Sequence, residues 1–272
     1  MIYILSLLIG FLSAFIGSIV GFGGGILLVP ILLLLSEISP VFSWATPQSI
    51  VGLSLVVMVF TALSSTLSYI KKKRVDYKSG FIFLSGALPG GIVGSWLNQY
   101  IQSNVFSLYF GVIVLLISFL FFLKKQEKLA NPTVLSGMQR NVMIDGKEHF
   151  YSYSVTGAVI LTFAVGVLSG LFGIGGGSLM VPAMILMFGF PPHIATATSM
   201  FMIFFLSTIS SITHITLGNV LWEYVVFFIP GAWIGGTIGA KVNQRLKGNT
   251  VEWFLRILLI VIGIRLIWQG LG

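Results

Sequence analysis

Apolar residues gather in runs of about 17 to 25, the length that crosses a hydrocarbon layer roughly 30 Å thick. Runs at 3–20, 47–70, 80–101, 105–123, 155–172, 192–214, 222–242 and 250–269 predict membrane-crossing helices. Two shorter runs, 26–36 and 178–188, follow 3–20 and 155–172 across glycine breaks. At 1.5 Å per residue a short run rises only about 16 Å, enough to reach the middle of a bilayer. A long run, a break and a short run therefore predict a broken hairpin. Continuous segments such as "YFGVIVLLISFLFFL" (109–123) lack the ten-residue alternation of an outer-membrane barrel. The expected fold is an all-α integral membrane protein.

The breaks are related. "GFGGGILLVP" (21–30) and "GIGGGSLMVP" (173–182) agree at seven of ten positions and lie 152 residues apart. Beyond them "PQSIVGLS" (47–54) pairs with "PHIATATS" (192–199), "GALPGGIVG" (86–94) with "GAWIGGTIG" (231–239), and "LNQYIQSN" (97–104) with "VNQRLKGN" (242–249), all at a separation of 145. Ordered matches at constant spacing mark a duplication. Residues 1–123 form a first transmembrane repeat, 124–151 a polar linker and 152–272 a second repeat, each a broken glycine-rich hairpin plus three transmembrane helices.

Charge adds orientation. The run "KKKRVDYK" (71–78) and the linker hold ten of the fifteen basic residues, which places both on the cytoplasmic side. In the second repeat "LGNV" (217–220) replaces "KKKR", while Lys241, Arg245 and Lys247 mark 241–249 as cytoplasmic. Three crossings plus a hairpin that returns to its own face make an odd count, so the repeats are expected to be inverted in the plasma or inner membrane. The linker is expected to be a solvated loop.

With 56% apolar and 8% charged residues, against roughly 25% charged in soluble domains, most of the chain belongs in the lipid bilayer. The net charge of +8 sits beside apolar helices, so it reads as an orientation signal and not as a nucleic-acid surface. The absence of cysteine excludes disulfides and thiol chemistry. Glu37, Asp76, Glu223 and Glu252 lie near segment ends and Glu127, Asp145 and Glu148 in the linker; a carboxylate relay or acidic cation site needs such groups at depth. No metal, cofactor or catalytic cluster is expected. The opening residues 1–19 lack a basic start and resemble the run at 155–172, so they read as structure and not as a signal peptide.

Inverted repeats with interrupted helices place solute where half-helix ends meet. The N–H groups and positive dipole end of each half-helix suit an anion, and glycines let backbone donors approach it closely. Candidate contacts are Gly21, Gly23, Gly24 and Gly25 in one break and Gly173, Gly175, Gly176, Gly177 and Ser178 in the other. Polar residues in the first turns of the following helices join them: Gln48, Ser49 and Ser54, with His193, Thr196 and Ser199. Pro30 and Pro182 are expected within the first turns of the half-helices, where proline does least harm. Gly86, Gly90, Gly94, Gly231, Gly235 and Gly239 recur every four residues, a packing stripe. Arg256 reads as a side chain reaching for the interface.

The doubled "GxGGGxLxVP", the "P(H/Q)xxxxxS" segments and the "GAxxGGxxG" helices resemble the TauE/SafE family of membrane permeases over nearly the whole chain. That resemblance implies a secondary transporter for a small inorganic or organic sulfur anion, sulfite or an organosulfonate, with contacts around the glycine loops and around Ser54 and Ser199. No "GK[ST]" follows either break, so energy is expected from a coupling ion or the solute's own gradient and not from a nucleotide. An anion channel, or a carrier of another small solute, is the alternative reading.

Overall fold

The computed structural model describes residues 2–101, 103–120, 137–144, 147–245 and 260, 263, 264, 267 and 268. The first repeat contains α1 (Ile2–Val20), α2 (Gly25–Ile38), a 3-10 turn (Pro40–Phe42), α3 (Pro47–Ile70), α4 (Tyr77–Asn98) and α5 (Ser103–Leu120). The second contains α6 (Val155–Phe172), α7 (Gly177–Leu186), α8 (Pro192–Thr216) and α9 (Trp222–Asn243). Among the described residues six helices, α1, α3, α4, α6, α8 and α9, are long and apolar enough to cross a membrane. Most of the last expected span, 250–269, including Arg256, lies outside the described residues. Pro30 and Pro182 sit at the sixth position of α2 and α7, in the second turn and not the first. There proline leaves the carbonyls of Ile26 and Ser178 without an i+4 amide.

The most extensive helix contacts are α4 with α6 and α1 with α9; α3 meets α8 at the centre, and α3–α9 and α4–α8 complete the core. Exchanging each helix for its counterpart in the other repeat maps this pattern onto itself. The glycine stripe makes the closest pairs. A Cβ on Gly86, Gly90 or Gly94 would strike the carbonyl oxygens of Val159, Phe163 and Val167 on α6, and one on Gly231, Gly235 or Gly239 those of Leu7, Phe11 and Phe15 on α1. Gly94→Ala should cost about 1–3 kcal/mol by overpacking, read as a lower melting temperature. Gly157→Ala, whose Cβ would meet only Ser154 at 3.7 Å, should leave the melt unchanged or raised by roughly the alanine preference of up to 1 kcal/mol.

Contact registers give the helix directions. The α4–α6 and α1–α9 contacts advance together every four residues, so each pair is parallel. The Asp76 amide before α4 donates to Thr198 Oγ1 near the start of α8, and Ser210 farther along α8 lies beside Gly91 of α4; α8 thus runs with α4. His193 at the start of α8 meets Asn243 at the end of α9, and Gln48 at the start of α3 meets Ile101 just beyond α4. Helices α1, α3 and α9 therefore run against α4, α6 and α8, and equivalent helices point in opposite directions.

Part of the linker is not a loop. Strands β1 (Met138–Ile144) and β2 (Lys147–Tyr153) pair antiparallel, from Met138 opposite Tyr153 to Ile144 opposite Lys147. Alternation puts Tyr151 and Tyr153 inward, both buried, where they pack on Phe83 of α4 and on Phe188 and Phe190 after α7. The expectation of a solvated linker fails over these residues because the strands carry an aromatic face that the helix ends complete.

Candidate solute site

Helix α1 stops at Val20 and α6 at Phe172 because the next residues adopt conformations that side chains disfavour. Gly21, Gly23 and Gly24 have φ of 88°, 79° and 93°, and Gly173, Gly175 and Gly176 have φ of 68°, 75° and 69°. Matching positions of the two breaks take the same left-handed turns, which only glycine adopts without strain. Helices α2 and α7 begin directly afterwards, at Gly25 and Gly177.

The breaks lie against each other at the centre of the molecule, joined by two reciprocal hydrogen bonds. Ser54 Oγ on α3 donates to the Gly173 carbonyl at 2.8 Å, and Ser199 Oγ on α8 donates to the Gly21 carbonyl at 2.8 Å. Each serine thus holds the break of the opposite repeat. One turn later the equivalent residues Met58 and Ile203 cover the loops: Met58 abuts Gly23, Gly25 and Gly175, and Ile203 abuts Gly23 and Gly177. Thr196 lies against Gly21 and its hydroxyl reaches the Val20 carbonyl at 3.4 Å.

Two half-helix N-termini therefore meet in the interior. Among the described residues no acceptor meets the amides of Gly24, Gly25 and Ile26 in one break, or those of Gly176 and Ser178 in the other. Ser178 Oγ, fully buried in the first turn of α7, also has no partner among the described residues. Beside Gly175, Gly176 and Gly177 is a crevice of about 10 Å³, bounded by Ala87, Val165, Ser199 and Leu206, room for about one water molecule. Its lining is neutral, and of the two half-helices only α7 contributes residues to it, so the N-terminus of α7 supplies its nearest positive dipole end.

Of the residues singled out in the sequence, the eight glycines, Ser54, Ser178, Thr196 and Ser199 come together at this crossing. Gln48, Ser49 and His193 do not. Gln48 Nε2 donates to the Ile101 carbonyl, Ser49 is tied to Thr46 and Trp44 at the cap of α3, and His193 Nδ1 pairs with Asn243 Oδ1 at 3.4 Å. They start their helices, about 7–9 Å along the axis from Ser54 and Ser199 at 1.5 Å per residue. Met58 and Ile203 were missed, although each follows its serine by four residues, the spacing of one helical face.

A second polar cluster ties the hairpin to the helices. Asp76 caps α4 through the Ser79 amide, and its carboxylate receives Arg140 Nη2 at 2.6 Å, Arg140 Nε at 3.1 Å, Tyr151 Oη at 2.6 Å and Ser79 Oγ at 2.6 Å. Tyr153 Oη donates to Ser79 Oγ at 2.8 Å. Burial opposes ionisation of Asp76, but the bonds from Arg140, Ser79 and Tyr151 outweigh it and hold the carboxyl below its ordinary range. Burial, reinforced by the bond to Asp76, pushes the Tyr151 phenol far above its usual value, so it remains a donor.

A helical scaffold with six candidate membrane spans among the described residues, whose two interrupted helices meet at its centre, is the architecture of a membrane transporter. The chain belongs to the family described as sulfite exporter TauE/SafE, whose model matches residues 6–266. It is 45% identical over its full length to the probable membrane transporter protein YunE of Bacillus subtilis (strain 168), covering 99% of that protein. It is 28% identical to the probable membrane transporter protein YdhB of the same strain, over 88% of this chain and 90% of that protein. A 102-residue stretch, 38% of this chain and 23% of the relative, is 34% identical to the sulfite exporter TauE/SafE family protein 6 of Arabidopsis thaliana. No solved structure matches the chain.

Proposed function

We propose that this transporter moves a small oxyanion of the sulfite or organosulfonate class by alternating access between its repeats, with the glycine crossing as the binding site. The observation that carries the reading is the meeting of two half-helix N-termini at which the amides of Gly24, Gly25, Ile26, Gly176 and Ser178, with Ser178 Oγ, lack acceptors among the described residues. Backbone donors at paired dipole ends favour negative charge without a formal cation. A tetrahedral or pyramidal oxyanion presents several acceptors to such donors. The linker hairpin and the basic segments 71–78 and 241–249 then face the cytoplasm, as lysine and arginine placement favours. No nucleotide motif is present in the sequence, so a coupling ion or the solute gradient drives the cycle.

The test is thermal melting of the purified protein against sulfite, sulfate, thiosulfate, sulfoacetate, taurine and carboxylates. A bound anion at about a hundred times its Kd stabilises by about 2.7 kcal/mol. Gly24→Leu and Gly176→Leu should abolish that shift. Stabilisation by cations alone, or an unchanged anion response in both variants, overturns the reading.

A further inference from the structure

The crevice at Gly175–Gly177 adjoins a polar seam between α4, α6 and α8. Ala87, Val165 and Leu206 bound the crevice; one turn farther along the same three helices come Gly91, Ser169 and Ser210, followed by Ser95 and His214. Ser210 Oγ lies beside Gly91, Ser95 Oγ lies beside Gly170, and His214 Nε2 is 3.2 Å from the Gly170 carbonyl. Ser95, Ser169, Ser210 and Asn98 are buried, and the three hydroxyls and Asn98 Oδ1 have no hydrogen-bond partner among the described residues. A helical serine ordinarily returns its proton to a carbonyl one turn back, as Ser207 and Ser211 do on the same helix. Here the three serine hydroxyls forgo that option, although leaving a buried hydroxyl dry is costly, and Asn98 Oδ1 stands beside them as an unmatched acceptor.

The equivalent seam in the other half behaves differently. Ser18, Ser65, Tyr69 and Asn243 replace Gly170, Ser210, His214 and Asn98. Ser18 Oγ bonds Ser65 Oγ at 2.6 Å, Ser65 Oγ donates to the Gly236 carbonyl at 3.0 Å, and Tyr69 Oη donates to the Ser18 carbonyl at 2.9 Å. Asn243 donates to the Ile19 carbonyl just as Asn98 Nδ2 donates to the equivalent Leu171 carbonyl at 2.7 Å, so the contrast between the seams lies in their serines. The serines of that seam, at the end of the molecule where α1, α3 and α9 finish, are thus matched. The seam with unmatched hydroxyls lies at the opposite end, where α4, α6 and α8 finish.

We infer that the α4–α6–α8 seam is a hydrated, hydroxyl-lined half-path from the glycine crossing to the face opposite the hairpin, and that the transported oxyanion travels along it. The identity of the solute rests on the anion reading above; the half-path rests on the contrast between the two seams. Serine hydroxyls donate to an oxyanion or to water, while Asn98 Oδ1 accepts from water. Reciprocal opening of the Ser18–Ser65 seam, with closure of this one, would complete the exchange of access.

The lack of native cysteine makes each introduced thiol the sole reporter. Ser169→Cys and Ser210→Cys, near-isosteric changes, are treated in lipid nanodiscs with an anionic methanethiosulfonate and compared with Ser18→Cys and Ser65→Cys. Modification in the first pair should be roughly tenfold faster, since thiol reactivity follows access, and methanesulfonate should slow it. Leu206→Cys, one turn deeper, provides a second reporter should a serine variant melt early, and it should react as well. Equal rates in the two seams, or an inert first pair together with an inert Leu206→Cys, overturn the half-path. Fast modification that methanesulfonate leaves unchanged keeps the half-path as a water route and overturns its use by this class of anion.

Discussion

Gly25→Ala and Gly177→Ala are expected to cost about 2–4 kcal/mol each, the sum of overpacking and a lost hydrogen bond, and to remove anion-dependent stabilisation. Neither residue has a positive φ, so the effect is one of space. A Cβ on Gly25 would run into the Gly173 carbonyl and stand 3.0 Å from Ser54 Oγ; one on Gly177 would run into the Gly21 carbonyl and stand 2.8 Å from Ser199 Oγ. The added methyl pushes apart the two breaks at the point where a serine of one repeat holds the carbonyl of the other. Ser54→Ala removes only the hydrogen bond and should cost about 1 kcal/mol. Tryptophan-fluorescence melts rank the three variants, and a Gly25→Ala protein that melts with the parent would show that the breaks do not touch as described.

This crossing was partly legible in the sequence. Three successive glycines cannot hold a helix, and their recurrence before a proline-containing half-helix located both breaks to the residue. The separation of 145 also paired Ser54 with Ser199. The cross-repeat direction of their bonds was not readable, because nothing along a chain states which repeat a helix packs against. Gln48 and His193 shared the local pattern of Ser54 and Ser199, but pattern alone carries no depth, and the helix rise places them at the ends. The seam of Ser95, Ser169 and Ser210 was hidden for another reason. Serine in a membrane helix is ordinarily self-satisfied, and only the structure reveals which hydroxyls are not.

The hairpin was missed although "MQRNVMIDGKEHFYSY" (138–153) carries a recognisable signal: Asp-Gly between alternating segments favours a two-residue turn. The basic and acidic residues around it favoured a solvated reading, and Arg140 was counted only as an orienting charge. Its partner, Asp76, stood beside the lysine run and looked like part of a loop, whereas it caps α4.

That pair sets the last expected result: Asp76→Asn should release the hairpin from the helix ends. The Asp76 side chain is wholly buried while that of Arg140 is 25% exposed, so the substitution removes charge-assisted hydrogen bonds, worth about 1.5–3 kcal/mol each before solvent screening at the Arg140 end reduces them. Tyr151 loses its carboxylate acceptor in the same change. Because the docked carboxyl lies below its ordinary range, its contribution is present above the free-carboxyl pKa of about 3.9 and declines as pH falls through the lower docked value. The parent hairpin should therefore hold from neutral pH to about 5 and loosen only below about 4, whereas Asp76→Asn should be loose throughout and lack that acid transition. Amide hydrogen exchange over 138–144 and 147–153 reads both. The same clamp bears on the transport cycle, since the Asp76 amide donates to Thr198, the neighbour of Ser199 at the crossing. A hairpin that stays protected in Asp76→Asn would place its anchorage in the contacts of Tyr151 and Tyr153 with Phe83, Phe188 and Phe190, and would remove the carboxylate from any role in holding that end shut.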